Sequence, residues 1–192
     1  MSYVEYKINN QHLKVQKIIS EDELRDRIKE MAAQISADYK DESVYLVGIL
    51  KGAFMFMAEL CRHITVTCEC SFLGVSSYGN EKTTSGKVKI TKDIEEDIEG
   101  KNVIIIEDII DTGVTLNFLK EYMKTRSPKS VKICSLLSKP SCRKVELDID
   151  YVGFEIPNEF VIGFGLDYEQ YLRNLPYVAS VLISPHPHGP VS

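Results

Sequence analysis

Between Asn102 and Leu116 the chain reads NVIIIEDIIDTGVTL, and the fold turns on how this stretch divides. Val103 to Ile106 is an unbroken apolar run, the pattern of a strand buried on both faces. Three carboxylates follow within five positions, Glu107, Asp108 and Asp111, and Thr112-Gly113 then leads into a helical segment from Leu116 to Lys124. Val131 to Leu137 is a third apolar strand. Strand, helix and strand in succession imply parallel pairing.

Working outward, the same alternation continues. Val44 to Leu50 (VYLVGIL) is a short strand, which Lys51-Gly52 ends before a second helical segment, AFMFMAELCRHI. Ser20-Glu-Asp-Glu23 is a capping box, and Leu24, Ile28, Met31, Ala32 and Ile35 share one helical face. Val66 to Leu73 is a further strand. Tyr151 through Ile183, dense in Val, Ile, Phe and Tyr, contributes more sheet. From Gly74 to about Glu99 the composition turns polar, and a stretch of this length inside a compact domain is usually functional or disordered. The expectation is an α/β fold, an open mainly parallel sheet flanked by helices, with 74–99 as its mobile part. SPHPHGPVS at the end is expected to fray, and without an accompanying Cys or carboxylate His186-x-His188 is not read as a metal site.

Composition narrows the function classes. The chain has 192 residues, enough for a single domain, with no linker or internal repeat. Hydrophobic residues at 44% and charged residues at 27% are ordinary for a soluble protein, and no apolar run approaches the roughly 20 residues that span a bilayer. The start, MSYVEYKINNQHLK, has no secretory pattern, and five cysteines without metal-finger or redox spacing are expected to be reduced thiols in a cytoplasmic protein. A net charge of −5 gives no general reason to bind nucleic acid, and neither GxxxxGK[ST] nor GxGxxG occurs. An anionic ligand must therefore be held by local geometry.

In open parallel sheets ligands bind beyond the carboxyl ends of the strands, where Glu107 and Asp108 are expected. Asp111-Thr112-Gly113-Val114-Thr115 enters a helix whose first N–H groups lack intrahelical partners, so a phosphate fits there without a basic side chain. Gly113 allows close approach, and the Thr112 and Thr115 hydroxyls donate. Asp111 is also placed to cap the helix. Two acids at about 4 Å repel by roughly 4 kcal/mol at an effective dielectric of 20, so Glu107 and Asp108 need vicinal hydroxyls, a divalent metal, or both. A ribose 5-phosphate satisfies the amides at one end and the acids at the other.

At this point the residues are recognisable. VIIIEDIIDTGVTL resembles the phosphoribosyl-pyrophosphate signature of the type I phosphoribosyltransferases, in the form of the hypoxanthine-guanine branch. Leu50-Lys51-Gly52, Ser77-Tyr78-Gly79, Ser135-Leu-Leu-Ser-Lys139 and VGFEIPNEFVIGFGLDYEQYLR (Val152 to Arg173) resemble the same branch in the same order. The resemblance implies one phosphoribosyltransferase domain over 1–192, with a small hood built from parts of the N-terminal and C-terminal segments, a lid loop over about 74–99 and a tail from 185. It implies purine salvage: transfer of 5-phosphoribose from phosphoribosyl pyrophosphate to N9 of hypoxanthine or guanine, giving IMP or GMP and pyrophosphate, with Mg²⁺.

Residue roles follow from the same resemblance. Glu107 and Asp108 hold the ribose hydroxyls and, with Asp167, are the candidate metal ligands. Asp111, Thr112, Gly113, Val114 and Thr115 hold the 5′-phosphate, with Asp111 as general acid/base at purine N7. Lys51, Gly52 and Arg173 face pyrophosphate, and the peptide before Lys51 is one that can be cis in this family. Ser77 and Tyr78 belong to the lid. Lys139 donates to the 6-oxo group, Phe160 stacks on the ring, the Val161 backbone meets the exocyclic edge, and Asp167 lies at the purine as well. The family implies a homodimer or homotetramer, with no nucleic-acid or membrane partner. Two rivals are a phosphoacceptor receiver domain and a nucleotide-sensing regulator on the same fold. The first gains nothing from the Thr-Gly turn; the second is disfavoured by the acidic charge and by Asp111, Lys139 and Arg173 occurring together.

Overall fold

A computed structural model describes residues 3–78 and 87–182. Ten strands and three α-helices follow in the order β1 (Val4–Ile8), β2 (Gln11–Ile19), α1 (Glu21–Asp38), β3 (Val44–Leu50), α2 (Phe54–His63), β4 (Cys68–Tyr78), β5 (Lys87–Lys92), β6 (Asn102–Ile110), α3 (Val114–Lys124), β7 (Ser130–Ser138), β8 (Tyr151–Glu155), β9 (Val161–Ile162) and β10 (Val178–Leu182). The larger sheet runs β5-β4-β3-β6-β7-β8. Its β4/β3, β3/β6, β6/β7 and β7/β8 pairs are parallel, as the alternation of strand and helix demands, and β5 alone is antiparallel.

Alternation along each central strand decides what covers each face. Val44 and Leu46 of β3, with Ile104 and Ile106 of β6, join Leu24, Ile28, Met31 and Ile35 of α1 and Phe56, Met57 and Leu60 of α2. Tyr45, Val47 and Ile49, with Val103 and Ile105, join Leu116, Leu119 and Met123 of α3 on the other face. A fully buried Leu or Ile contributes about 1.5–3 kcal/mol, so the unbroken apolar runs of β3 and β6 anchor both layers. Helix α1 starts at the expected box: Glu23 N donates to Ser20 Oγ at 3.3 Å and Ser20 N to Glu23 Oε2 at 2.8 Å.

The second sheet, β1-β2-β10-β9, takes its strands from the two ends of the chain. Here the sequence expectation needs correcting. The sheet content of 151–183 is divided between two sheets, and 163–177 between β9 and β10 is largely turns with isolated bridges. The 74–99 expectation also changes. β4 continues to Tyr78, β5 pairs back onto it, and Ile94 and Ile98 are buried against the α3 face. In β5 only Val88 and Ile90 alternate with polar residues, a signal too short to stand out in a polar stretch. Residues 79–86, the side chains of Ser77 and Tyr78, and the tail with His186 and His188 lie outside the described residues. None of the described helices is long and apolar enough to cross a membrane.

Candidate active site

Strand β6 outruns its neighbour. Its pairing with β3 ends at Gly48↔Ile106, whereas pairing with β7 continues to Ile110↔Ser138. Glu107 and Asp108 therefore lie within the strand but past the point where its pairing with β3 ends. Asp108 is buried at 8% exposure and Glu107 is half-buried. Burial, and then the Asp108 charge beside it, holds the Glu107 carboxyl well above the usual carboxylate range, and burial raises Asp108 too. Arg173 partly offsets the rise at Asp108.

The end of β3 closes one wall. The Leu50–Lys51 peptide is cis, and Gly52 packs directly on the Asp108 carboxylate. A β-carbon on Gly165 would fall 2.0 Å from Gly52 O, so the 163–173 segment lies flush against the same turn. That segment supplies Arg173, which donates through Nη1 to Gly165 O at 2.7 Å and pairs through Nη2 with Asp167 Oδ1 at 2.7 Å. Gln170 joins the group: its Oε1 accepts from Lys51 Nζ at 3.1 Å and from Arg173 Nη2 at 3.3 Å, while its backbone N donates to Asp167 Oδ2 at 2.7 Å. Glu169, Gln170 and Leu172 all have left-handed φ, of 50°, 71° and 68°, an uncommon cluster of the kind found at ligand clamps. Lys51, Gly52, Asp108, Asp167 and Arg173 are thus drawn into one constellation.

The anion loop forms the second wall. Helix α3 begins at Val114 with Gly113 as its cap, in the left-handed region at φ 80°, where glycine is the least strained choice. The cap expected of Asp111 is therefore corrected: its side chain is two residues too early to cap and stays exposed. Thr112 Oγ1 accepts from Val114 N at 3.4 Å, and Thr115 is half-buried in the first turn. The carbonyls before the helix all turn toward the segment after β7. Ile110 O accepts from Lys139 N at 2.9 Å, Asp111 O from Arg143 Nη1 at 2.9 Å and Thr112 O from Lys144 N at 3.0 Å.

Lys139 follows β7 directly and is 7% exposed. Among the described residues no carboxylate or acceptor meets its ammonium. Its stem is packed while the ammonium still reaches solvent, so its three donors are open to a ligand. Val161 packs in the core cluster that holds Leu137, and the Phe160 ring lies edge-on to Tyr168, centroids 6.0 Å apart. Arg143, Gln170 and Gly165 were missed by sequence reading. Each acts through a contact distant in the chain and carries no local signal.

Residues 17–169 match the model of the family described as Phosphoribosyl transferase domain. The chain is similar to the hypoxanthine-guanine phosphoribosyltransferase of Bacillus subtilis, 49% identical over 161 residues, 84% of this chain and 89% of that one. It is likewise similar to the Escherichia coli K12 hypoxanthine phosphoribosyltransferase, 49% identical over 171 residues, 88% and 96% of the two chains. A crystal structure of a hypoxanthine-guanine phosphoribosyltransferase from Bacillus anthracis superposes with a TM-score of 0.84 at 49% identity, covering 87% of this chain and 98% of the other.

Proposed function

The chain belongs to the phosphoribosyl transferase family, and from that membership we propose that it moves 5-phosphoribose from phosphoribosyl pyrophosphate to N9 of hypoxanthine or guanine, releasing pyrophosphate. The products are IMP or GMP, the chemistry of purine salvage. The observation that supports it best is the adjacency of an anion loop, Asp111 to Thr115, and an acid pair, Glu107 and Asp108, on one strand-to-helix junction. A sugar phosphate needs both, spaced by the length of a pentose.

In this reading purine N9 attacks C1′ as the C1′–O bond to pyrophosphate breaks. Positive charge develops on the sugar and negative charge on the leaving group. Lys51 and Arg173, already bridged by Gln170 Oε1, exchange that neutral oxygen for pyrophosphate oxygens, and the Arg173 fork offers two donors. Gly52 gives the backbone its close approach. Glu107 and Asp108 accept from the ribose hydroxyls, Lys139 donates to the purine 6-oxo group, Phe160 stacks on the ring and Val161 meets the exocyclic edge through its backbone. Asp111, exposed at the start of the loop, takes or gives the proton at N7. Ser77 and Tyr78 on the β4 ribbon are assigned to the lid, which excludes water from the activated sugar.

Mg²⁺ is the proposed cofactor. Among the described residues no group of three or more His, Cys, Asp or Glu converges as a metal cage. The oxygen-only donors Glu107, Asp108 and Asp167 do fit an ion that keeps several waters and is shared with substrate phosphates. They would hold it, and bound there it neutralises charge on the pyrophosphate. A nucleotide-sensing regulator is the weaker reading, since relatives matching most of the chain are named as enzymes. The proposed setting is the cytoplasm and the proposed assembly a homodimer or homotetramer. The test is one assay: phosphoribosyl pyrophosphate and Mg²⁺ with hypoxanthine, guanine, xanthine and adenine in turn. Nucleotide formation with the first or second is expected, and none with any of the four would overturn the reading.

A further inference from the structure

Three successive carbonyls, Ile110, Asp111 and Thr112, are held by one segment, residues 139–144, which otherwise belongs to the purine side of the cleft. Two of the holders are backbone N–H groups, Lys139 N and Lys144 N; the third is a side chain, Arg143. Its guanidinium spans the gap. Nη1 donates to Asp111 O at 2.9 Å and Nη2 to Ser138 Oγ at 2.9 Å, where Ser138 is 3% exposed and immediately precedes Lys139. Lower down, the Arg143 stem packs under the loop: a β-carbon on Gly113 would lie 3.6 Å from Arg143 Cδ and 3.2 Å from Val145 Cγ2.

The consequence follows from peptide geometry. In a planar trans peptide the C=O and the next N–H point in opposite directions. Fixing Asp111 O therefore fixes Thr112 N–H, and fixing Thr112 O fixes Gly113 N–H, both aimed away from the 139–144 segment. Successive amides held in this way form an anion-binding concavity. A charged donor on a carbonyl is a strong hydrogen bond, and Arg143 makes one to the carbonyl that starts the row.

We propose that Arg143 is a positioning residue for the 5′-phosphate loop: anchored on Ser138, it orients the Asp111–Thr112 peptide so that the loop amides face the phosphate before the ligand arrives. It does not touch substrate. The same strut ties the phosphate loop to the strand end that presents Lys139. This inference rests on the reading of residues 111–115 as the 5′-phosphate site.

The test compares wild type with Arg143→Met, Arg143→Lys and Ser138→Ala. Steady-state kinetics with phosphoribosyl pyrophosphate and hypoxanthine are paired with calorimetric titration of ribose 5-phosphate and a thermal melt. Loss of a charge-assisted hydrogen bond corresponds to roughly a 10-fold effect. Arg143→Met is expected to raise KM for phosphoribosyl pyrophosphate and weaken ribose 5-phosphate by about that factor, with kcat at saturation and KM for hypoxanthine within about 3-fold. Arg143→Lys, which can keep one of the two bonds, should fall between. Ser138→Ala keeps the charge but frees the anchor, so it should show a smaller loss of the same kind. An Arg143→Met variant with unchanged sugar-phosphate affinity overturns the proposal, as does one that loses kcat, both KM values and thermal stability together. A silent Ser138→Ala beside a strongly impaired Arg143→Met also overturns it, because the charge would then be acting directly. Should the wild type bind ribose 5-phosphate without turning over, the titration still reads the strut while the functional reading fails.

Discussion

Gly52 lies edge-on against the Asp108 carboxylate, so close that a β-carbon built on the glycine would fall 1.6 Å from Asp108 Oδ2. No side chain fits between the end of β3 and the acid pair of β6. The contact couples two parts of the site that are 56 positions apart in the sequence (108 − 52). Gly52→Ala must move the acid or the turn. We expect kcat/KM to fall by at least about 100-fold, with a stability loss of roughly 1–3 kcal/mol from overpacking. Kinetics and a denaturant titration read the two effects, and a variant with wild-type kcat/KM would show that this packing has no part in the site.

Asp111 uses its two ends differently. Its carbonyl accepts from Arg143 and its side chain is exposed. Asp111→Asn leaves the carbonyl in place, so it is expected to lower kcat by roughly 10²–10⁴ with little change in KM for phosphoribosyl pyrophosphate. Near-normal turnover would remove the carboxylate from the proton transfer.

In the proposed function Lys139 sets the base preference. Its ammonium has only donors, and the 6-amino group of adenine donates as well, so adenine should bind at least about 100-fold more weakly than hypoxanthine. Lys139→Ala should abolish that preference, chiefly through KM for the 6-oxopurine. Unchanged base affinity in the variant would contradict the assignment.

Glu107 carries a pH signature in stability. Burial and the Asp108 charge raise its carboxyl above the ordinary value near 4.5, so the folded chain holds this proton more tightly than the unfolded chain. The corresponding stability is full below about pH 4.5 and is lost as pH rises toward the folded value. Each unit of elevation is about 1.4 kcal/mol. Glu107→Gln escapes the penalty, so without ligand its Tm should exceed that of wild type at about pH 8 by several degrees and converge with it near pH 4. A Tm difference that is the same at both pH values would contradict this account of the pair.

How much of this was legible in the sequence depends on what kind of contact was involved. The core of the sheet was legible because β3 and β6 carry continuous apolar runs and β7 is mostly apolar, and α1 because its capping box and periodic face are local. β4 was legible as far as Leu73, but its continuation to Tyr78 and the short strand β5 were not, because both fall in a stretch dominated by polar residues. The place of Glu107, Asp108 and the Thr112-Gly113 turn at one strand-to-helix junction was legible because they are adjacent in the sequence. Arg143 and Gln170 could not. Arg143 reaches back 32 positions to Asp111 O and Gln170 reaches 119 to Lys51 Nζ, so each has meaning only once the strands are assembled. Asp111 was half legible, its place in the loop correct and its capping role taken instead by Gly113.

The central claim, that amides hold the phosphate and acids hold the diol, is tested most directly by calorimetric titration of IMP against 2′,3′-dideoxy-IMP, in wild type and in Glu107→Gln/Asp108→Asn. The account predicts that wild type binds IMP at least about 10-fold more tightly than the dideoxy nucleotide, and that the double variant binds the two alike. Equal affinities in the wild type, or a preference that survives loss of both carboxylates, would contradict it.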